Sequence, residues 1–380
     1  MSMSFALSED QLTLQRTIRR FVDHEIVPVR QHYDQTEEFP WPQVKKMQEL
    51  GINCMIAPEK YSGAAFSYQD ICLVAEELAR GCMAITITPL VNILASEPVV
   101  FGANEWQKDW WFPGLCREGQ LAAYAVTEPG AGSDVAGIST TARRDGDHYL
   151  LTGTKCFITN GRHADKLTVL ATLDKSKQHK SQCFFLVDRK WEGISYGKSE
   201  HKMGIRCSET SEIIFDNVRV PREFRLGEEG DGFKLAMMAF NSSRPVVAAL
   251  AVGLAQGAFE FARDYARQRV AFRQPIASFQ AIQFILADMA MEIEAARLLY
   301  QKAAWLLDTG QMAANLSAMS KCYAADMAMK VTTDAVQVLG GYGYCRDYPV
   351  EKMMRDAKIL QIFEGTSQVQ RVIIAGNILR

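Results

Sequence analysis

The chain has 380 residues, a formal charge of −2 and an apolar share of 48%, enough for two or three packed regions around a large core. Balanced charge without a long basic run gives no electrostatic basis for binding nucleic acid or an anionic membrane surface, and no uninterrupted apolar run reaches the roughly 20 residues that span a bilayer. The start lacks a basic segment followed by an apolar one, so no secretory signal is read, and nine dispersed cysteines without a C-x-x-C pair indicate reduced core thiols of a cytoplasmic protein, with no disulfide frame or metal site.

Residues 1–120 read as an N-terminal α-helical domain. Ser8-Glu9-Asp10-Gln11 is a capping-box start, and Leu12, Ile18, Phe21 and Ile26 make one apolar face. Helices are expected over Trp41–Leu50, Tyr68–Gly81 and Ile85–Phe101, with breaks at Pro58 and Ser62-Gly63. From Leu121 the period shortens. Thr140–Thr159 alternates and breaks at Arg144-Asp145-Gly146-Asp147, a hairpin signal. Short β-type runs follow at Lys166–Leu173, Gln182–Val187 and Glu212–Val218, so residues 121–228 read as a β-domain. Helical spacing then returns, as in Phe279, Ile282, Leu286, Met289 and Ile293, and residues 229–380 read as a helix bundle whose Met and Ala fill the core.

Four segments carry candidate chemistry. Ala125 to Gly137 (AVTEPGAGSDVAG) offers glycines that let a flat or phosphorylated ligand approach the backbone, with Thr127 and Ser133 as hydroxyls. It is not a G-x-G-x-x-G fingerprint, and the chain has no phosphate loop, H-E-x-x-H or G-x-S-x-G either. Phe157-Ile-Thr159 ends a strand, where residues two apart share a face and suit stacking and hydrogen bonding to a ring. Gln337-Val-Leu-Gly-Gly-Tyr-Gly343 closes a helix with a glycine cap that also suits a diphosphate. The most informative residue is Glu364, in Gln-Ile-Phe-Glu-Gly-Thr-Ser-Gln: a lone carboxylate after an apolar stretch, before a glycine and a helix-opening Thr-Ser pair. Desolvation there would raise its pKa and make it a better base toward a weak carbon acid.

These segments, in this order and within a helix–β–helix layout, resemble the acyl-CoA dehydrogenase family, nearest its medium-chain/short-chain branch. The similarity runs essentially end to end. Ala125–Gly137 matches the first family signature, Gln337-x-x-Gly-Gly-x-Gly-Tyr-x-x-Asp347 the second, and Phe363–Gln368 the segment of the catalytic base.

The resemblance implies an α+β fold with an N-terminal helical domain, a middle β-sandwich or barrel-like domain and a C-terminal four-helix bundle. It implies FAD-dependent oxidation of a short-to-medium acyl-CoA to the trans-2-enoyl-CoA, with electrons passed to an electron-transferring flavoprotein, in a homotetramer built as a dimer of dimers. Glu364 would be the base, its backbone N–H and an FAD ribitol hydroxyl holding the thioester oxygen. Tyr124, Val126, Thr127, Gly132, Ser133, Phe157 and Thr159 would lie along the flavin. Arg269, Phe272, Gln280, Gln337 and Gly341 would contact the FAD of a neighbouring subunit, and Thr366 and Gln368 would add contacts. Ser133, Asn241, Arg244, Phe363 and Gly365 would border the substrate, with Ile87, Leu90 and Leu94 facing the acyl chain.

The chain departs from the family pattern at Asn241, where Asp is common, at Arg273, where Gly is usual, and at Ser62 in a Tyr-Gly-Gly turn. Other branches carry the base just before the residue equivalent to Arg244; here that residue is Ser243, which cannot be a base. An oxidase on the same scaffold and a non-catalytic assembly relative are the alternative readings.

Overall fold

The computed structural model describes residues 6–379, so the opening Met1–Phe5 lies outside the described part. Helix α1 (Glu9–Phe21) starts as its capping box requires: the Ser8 hydroxyl accepts the Gln11 N–H at 3.2 Å and the Gln11 side chain accepts the Ser8 N–H at 3.1 Å. The chain continues through irregular turns around Pro28, whose missing N–H interrupts the ladder, into α2 (Arg30–Thr36), α3 (Trp41–Glu49), α4 (Tyr68–Gly102) and α5 (Glu105–Arg117). The two helices expected across residues 68–101 run on as α4, but Cys82 inside it is extended (φ −166°, ψ 104°), so the expected boundary survives as a one-residue break.

Strands β1 (Ala122–Ala125), β2 (Thr141–Asp145), β3 (His148–Thr159), β4 (Lys166–Thr172), β5 (Gln182–Asp188), β6 (Ile194–Ser199), β7 (Thr210–Pro221) and β8 (Arg225–Leu226) form one sheet in the order β6-β7-β3-β2-β4-β5-β8, with β1 parallel to β4. The β2–β3 hairpin turns at Gly146 with φ 63°. Strands β1, β6 and β8 fall outside the β-type runs read from the sequence; β6 is a half-exposed edge strand held on one side by β7, so it needs no alternating apolar face.

Long helix α6 (Gly232–Gln268) leads through a two-residue hairpin, β9 (Val270–Ala271) and β10 (Gln274–Pro275), to α7 (Gln280–Asp308), α8 (Ala314–Leu339), α9 (Pro349–Leu360) and α10 (Ser367–Ile378). Helix α6 packs on α4, α7 and α8, and α8 also packs on α9 and α10. Small residues set the α4–α6 spacing. A Cβ on Gly253 would lie 2.0 Å from the Glu76 carbonyl oxygen, and one on Gly257 2.2 Å from that of Arg80.

Helices α4 and α6 are, contrary to the reading of apolar runs, long and apolar enough to cross a membrane by length and composition, but 83% and 72% of their most apolar windows are buried inside this fold. Glu76, Glu77 and Glu97 of α4 and Arg244 of α6 are buried with them. Of the nine free cysteines, Cys345 is exposed and Cys116 half-buried, so the core-thiol reading holds for the other seven.

Candidate active site

Glu364 sits in the short link between α9 and α10, where Thr366 caps α10 by accepting the Val369 N–H at 3.1 Å. Both Glu364 (φ 56°) and Gly365 (φ 88°) are left-handed. Glycine suits position 365 by its φ, and a Cβ there would lie 2.6 Å from the Gln370 amide nitrogen, which would have to give way. That amide donates to the Glu364 carbonyl at 3.0 Å and the Gly365 carbonyl at 2.9 Å, and Lys321 donates to the latter at 2.6 Å. Among the described residues the Glu364 N–H has no protein acceptor. Ser243, on α6, donates its hydroxyl to a Glu364 carboxylate oxygen at 2.8 Å. Burial pushes the Glu364 pKa up, against the Ser243 hydrogen bond and the positive charges of Lys321 and Arg244.

The neighbouring side chains come from four elements. Arg244 is buried and donates to the Asn241 side-chain oxygen at 2.7 Å, so an amide here orients the guanidinium without a negative charge. Glu97, wholly buried on α4, accepts the Tyr68 hydroxyl on both oxygens, at 3.0 and 2.9 Å. Burial pushes Glu97 up to about 8, helped by the Glu364 charge and opposed by Tyr68 and Ser242. Tyr124 from β1 is buried, its hydroxyl without a protein partner. Lys321, Glu97 and Ser243 as a hydrogen-bond donor were not found by sequence reasoning. The available signal was a lone charge inside an apolar helix, which Lys321 and Glu97 share. Ile87 and Leu90 are buried, while Leu94 packs toward the sheet core and Phe363 toward the helical core.

The Ala125–Gly137 segment is anchored by a buried ion pair. Lys155, on β3, donates to Glu128 at 2.7 Å and to the Val126 carbonyl at 2.9 Å; Glu128 also accepts the N–H groups of Ser139 (2.6 Å) and Thr140 (2.9 Å). Burial alone would raise the Glu128 pKa, but the Lys155 charge and these hydrogen bonds outweigh it and hold the carboxylate ionised. Val126 is buried, Thr127 half-buried, and Gly132 and Ser133 are exposed. A Cβ on Gly130, Gly132 or Gly341 would meet no atom within 4 Å, and none of the three has positive φ. The chain itself therefore makes no demand for glycine at these positions, and their backbone is open to approach.

Phe157 corrects the alternation argument. It lies in a register shift between Lys155 and Ile158, at φ 55° and 64% exposed, so a bulge sets its direction relative to half-buried Thr159. Its ring is held outward on a left-handed backbone, among the exposed large apolar side chains of the described residues.

Arg269, Phe272, Gln280, Gln337 and Gly341 are all exposed and form a separate region. Arg269 stacks over Tyr342 at 5.2 Å, and Phe272 meets Phe279 edge-on. Gln337 lies sixteen residues beyond Lys321 on α8, roughly 24 Å along the axis. Phe272 and Arg273 are the two turn residues between β9 and β10, both left-handed (φ 49° and 65°), so Arg273 adopts the backbone that glycine would take more easily. Ser62 does the same in its turn at φ 69°. Gln368, like this region, is exposed.

Residues 8–119, 123–218 and 230–379 match the N-terminal, middle and C-terminal domains of acyl-CoA dehydrogenase in turn. The chain belongs to the acyl-CoA dehydrogenase family. It is 44% identical over 377 residues to cyclohexane-1-carbonyl-CoA dehydrogenase of Geobacter metallireducens, covering 99% of each chain. It is 42% identical over 377 residues to the probable acyl-CoA dehydrogenase FadE25 of Mycobacterium tuberculosis, covering 99% of this chain and 97% of that one. The structure superposes on butyryl-CoA dehydrogenase from Megasphaera elsdenii with a TM-score of 0.97 at 40% identity, over 100% of both chains. Helical, β-sheet and helical regions follow one another as in that family's α+β fold, and the chain is an acyl-CoA dehydrogenase.

Proposed function

We propose that this acyl-CoA dehydrogenase uses Glu364 as its base on neutral short-to-medium acyl-CoA thioesters, near the medium-chain/short-chain branch. The observation that carries the reading is the Glu364 turn. A carboxylate with raised proton affinity and an N–H without a protein acceptor belong to one residue, so one rigid turn can both remove an α-proton and hold the thioester oxygen as it gains negative charge. Ser243 fixes the carboxylate's orientation, and Arg244 offers a buried positive charge beside the substrate's thioester end.

The ligand-accessible glycines at 130, 132 and 341 and the outward ring of Phe157 fit a flavin dinucleotide. Tyr124, Val126, Thr127, Gly132, Ser133, Phe157 and Thr159 would hold FAD along its ring, and Thr366 and Gln368 would add contacts. FAD, when bound, supplies the acceptor for the β-hydrogen as hydride. Electrons would then go to an electron-transferring flavoprotein. Arg269, Phe272, Gln280, Gln337 and Gly341, remote from Glu364 of their own chain, would complete the FAD site of a neighbour in a homotetramer. Sedimentation of the holoprotein is expected to show a tetramer; a monomer that retains full FAD overturns this part of the reading.

Side-chain polarity limits the acyl group. No Lys or Arg lies between Met83 and Gln107, and the titratable group that α4 does bring there, Glu97, is a carboxyl that cannot neutralise an anion. A second substrate carboxylate would be buried beside it, a cost of several kcal/mol. Flavin bleaching and steady-state kinetics with butyryl-, hexanoyl-, octanoyl- and glutaryl-CoA are expected to give the highest kcat/KM with one of the three neutral thioesters. A higher value for glutaryl-CoA rejects the substrate assignment. Rapid recolouring by air alone would instead indicate an oxidase.

A further inference from the structure

The described structure buries four lysines: Lys155, Lys166, Lys321 and Lys352. Lys155 and Lys352 each have a carboxylate of their own, Glu128 and Asp356. Lys166 caps the carbonyls of Trp110 and Trp111 and lies over the Trp110 ring at 4.4 Å. Lys321 differs from all three. It is wholly buried in the first third of α8, has no carboxylate within ion-pair distance among the described residues, and donates to one acceptor, the Gly365 carbonyl, at 2.6 Å.

An ammonium group carries three donors, and burying its charge without a matching anion is costly. Lys155 and Lys352 meet that cost with a carboxylate, and Lys166 with two carbonyls and a ring face, whereas Lys321 has the Gly365 carbonyl alone. The negative charge that acts most strongly on Lys321 is Glu364; Cys322 and Asp326 add to it and Arg244 opposes it. The acceptor is equally informative, because Gly365 follows the base directly and is the second of two left-handed residues. Gln370 grips the carbonyls of both from the α10 side. Lys321 grips the second from the α8 side.

We propose that Lys321 is a positioning residue for the base: it fixes the Glu364–Gly365 turn through the Gly365 carbonyl and, as a buried cation, favours the ionised Glu364 carboxylate. The proposal rests on the reading of Glu364 as the base. Left-handed backbone at a non-glycine residue is strained, so the turn persists because its carbonyls are held. Releasing Gly365 lets that peptide rotate and takes the Glu364 N–H and carboxylate out of register with each other. Ser243 and Arg244 on α6, Lys321 on α8, Glu97 on α4 and Tyr124 on β1 are the polar and charged groups around Glu364. Lys321 and Arg244 are the cations in that set. Burial pulls Lys321 itself down to about 8, with the Glu364 charge opposing the fall.

The test uses the holoprotein and three variants, Lys321→Met, Lys321→Gln and Lys321→Arg. Glu364 protonation is followed without substrate by pH-difference infrared spectroscopy, its carboxyl band being the one lost in Glu364→Gln. Removing the cation is expected to move the Glu364 midpoint upward by about one pH unit in the Met and Gln variants, with Arg restoring most of it. In steady-state assays kcat is expected to fall on the order of 10²-fold in Lys321→Met while KM changes little. Lys321→Gln keeps a donor for the Gly365 carbonyl and is expected to lose less. An unchanged infrared midpoint overturns the proposal, as does a loss of thermal stability with kcat unaltered. Failure of both neutral variants to fold would assign Lys321 to stability alone and overturn it too. If the wild type oxidises no acyl-CoA, the functional reading fails separately, because the infrared titration still reports whether Lys321 acts on Glu364.

Discussion

Glu364→Gln is expected to retain the fold and bound FAD and to lose dehydrogenation by 10²–10⁴-fold or more, the usual contribution of a positioned general base. The amide is nearly isosteric, can still accept from Ser243 and leaves the turn's own carbonyl contacts to Lys321 and Gln370 intact, so the loss falls on proton removal. Single-turnover bleaching of the bound flavin by acyl-CoA measures it directly. Bleaching at a near wild-type rate would remove Glu364 from the role. The assay also separates chemistry from binding, since a variant that takes up acyl-CoA without bleaching has lost only the proton step.

The second large effect is expected at Lys155. Lys155→Met leaves Glu128 buried with its Ser139 and Thr140 donors but without its cation, and unpairing a buried charge costs about 3–5 kcal/mol. A thermal scan should show a clear fall in midpoint, accompanied by weaker FAD retention because the pair anchors Val126 and the following glycine segment. The double variant Lys155→Met/Glu128→Leu should recover much of the stability, since an apolar pair of similar volume avoids the stranded charge. The pH dependence follows from Glu128, whose pKa is lowered from an ordinary 4.5 to about 2 in the folded chain. A depressed carboxylate contributes stability above its unfolded value and loses it as pH falls through the folded one. The wild type's advantage over the double variant should therefore shrink between pH 4.5 and about 2. A midpoint for Lys155→Met equal to that of the wild type at neutral pH would contradict this account.

Much of the architecture was legible because it rests on local rules. The Ser8 capping box, the turn at Gly146 and the change from helical to alternating spacing after Leu121 need no knowledge of distant residues. Glu364 was legible for a related reason: an isolated carboxylate between an apolar run and Gly-Thr-Ser stands out in one dimension. What the sequence could not show depends on which elements meet. Ser243 was dismissed because it cannot remove a proton; its hydrogen bond to Glu364 exists only because α6 passes the α9–α10 link. Lys321 and Glu97 look like ordinary charges until packing buries them. The outward turn of Phe157 follows from a register shift against β7, which strict alternation within β3 cannot anticipate. Arg273 was noticed as a departure from glycine, but the left-handed turn that gives the departure a meaning appears only in three dimensions.

The single extended residue at Cys82 makes α4 two mechanical parts in one continuous element. A helix carries a twist along its hydrogen-bonded ladder, whereas an extended residue absorbs it. The first part is seated against Gly253 and Gly257 of α6 through the Glu76 and Arg80 carbonyls, with no room to shift. The second part carries Ile87, Leu90, Leu94 and Glu97. Substitutions that rotate the second part by a few degrees therefore leave the seating of the first undisturbed. The second part is as deeply packed as the first, with Met83, Ile85, Leu90 and Ile93 in the helical core and Ala95 and Val99 in the sheet core, so the joint divides the direction of the helix between two parts that both belong to the core.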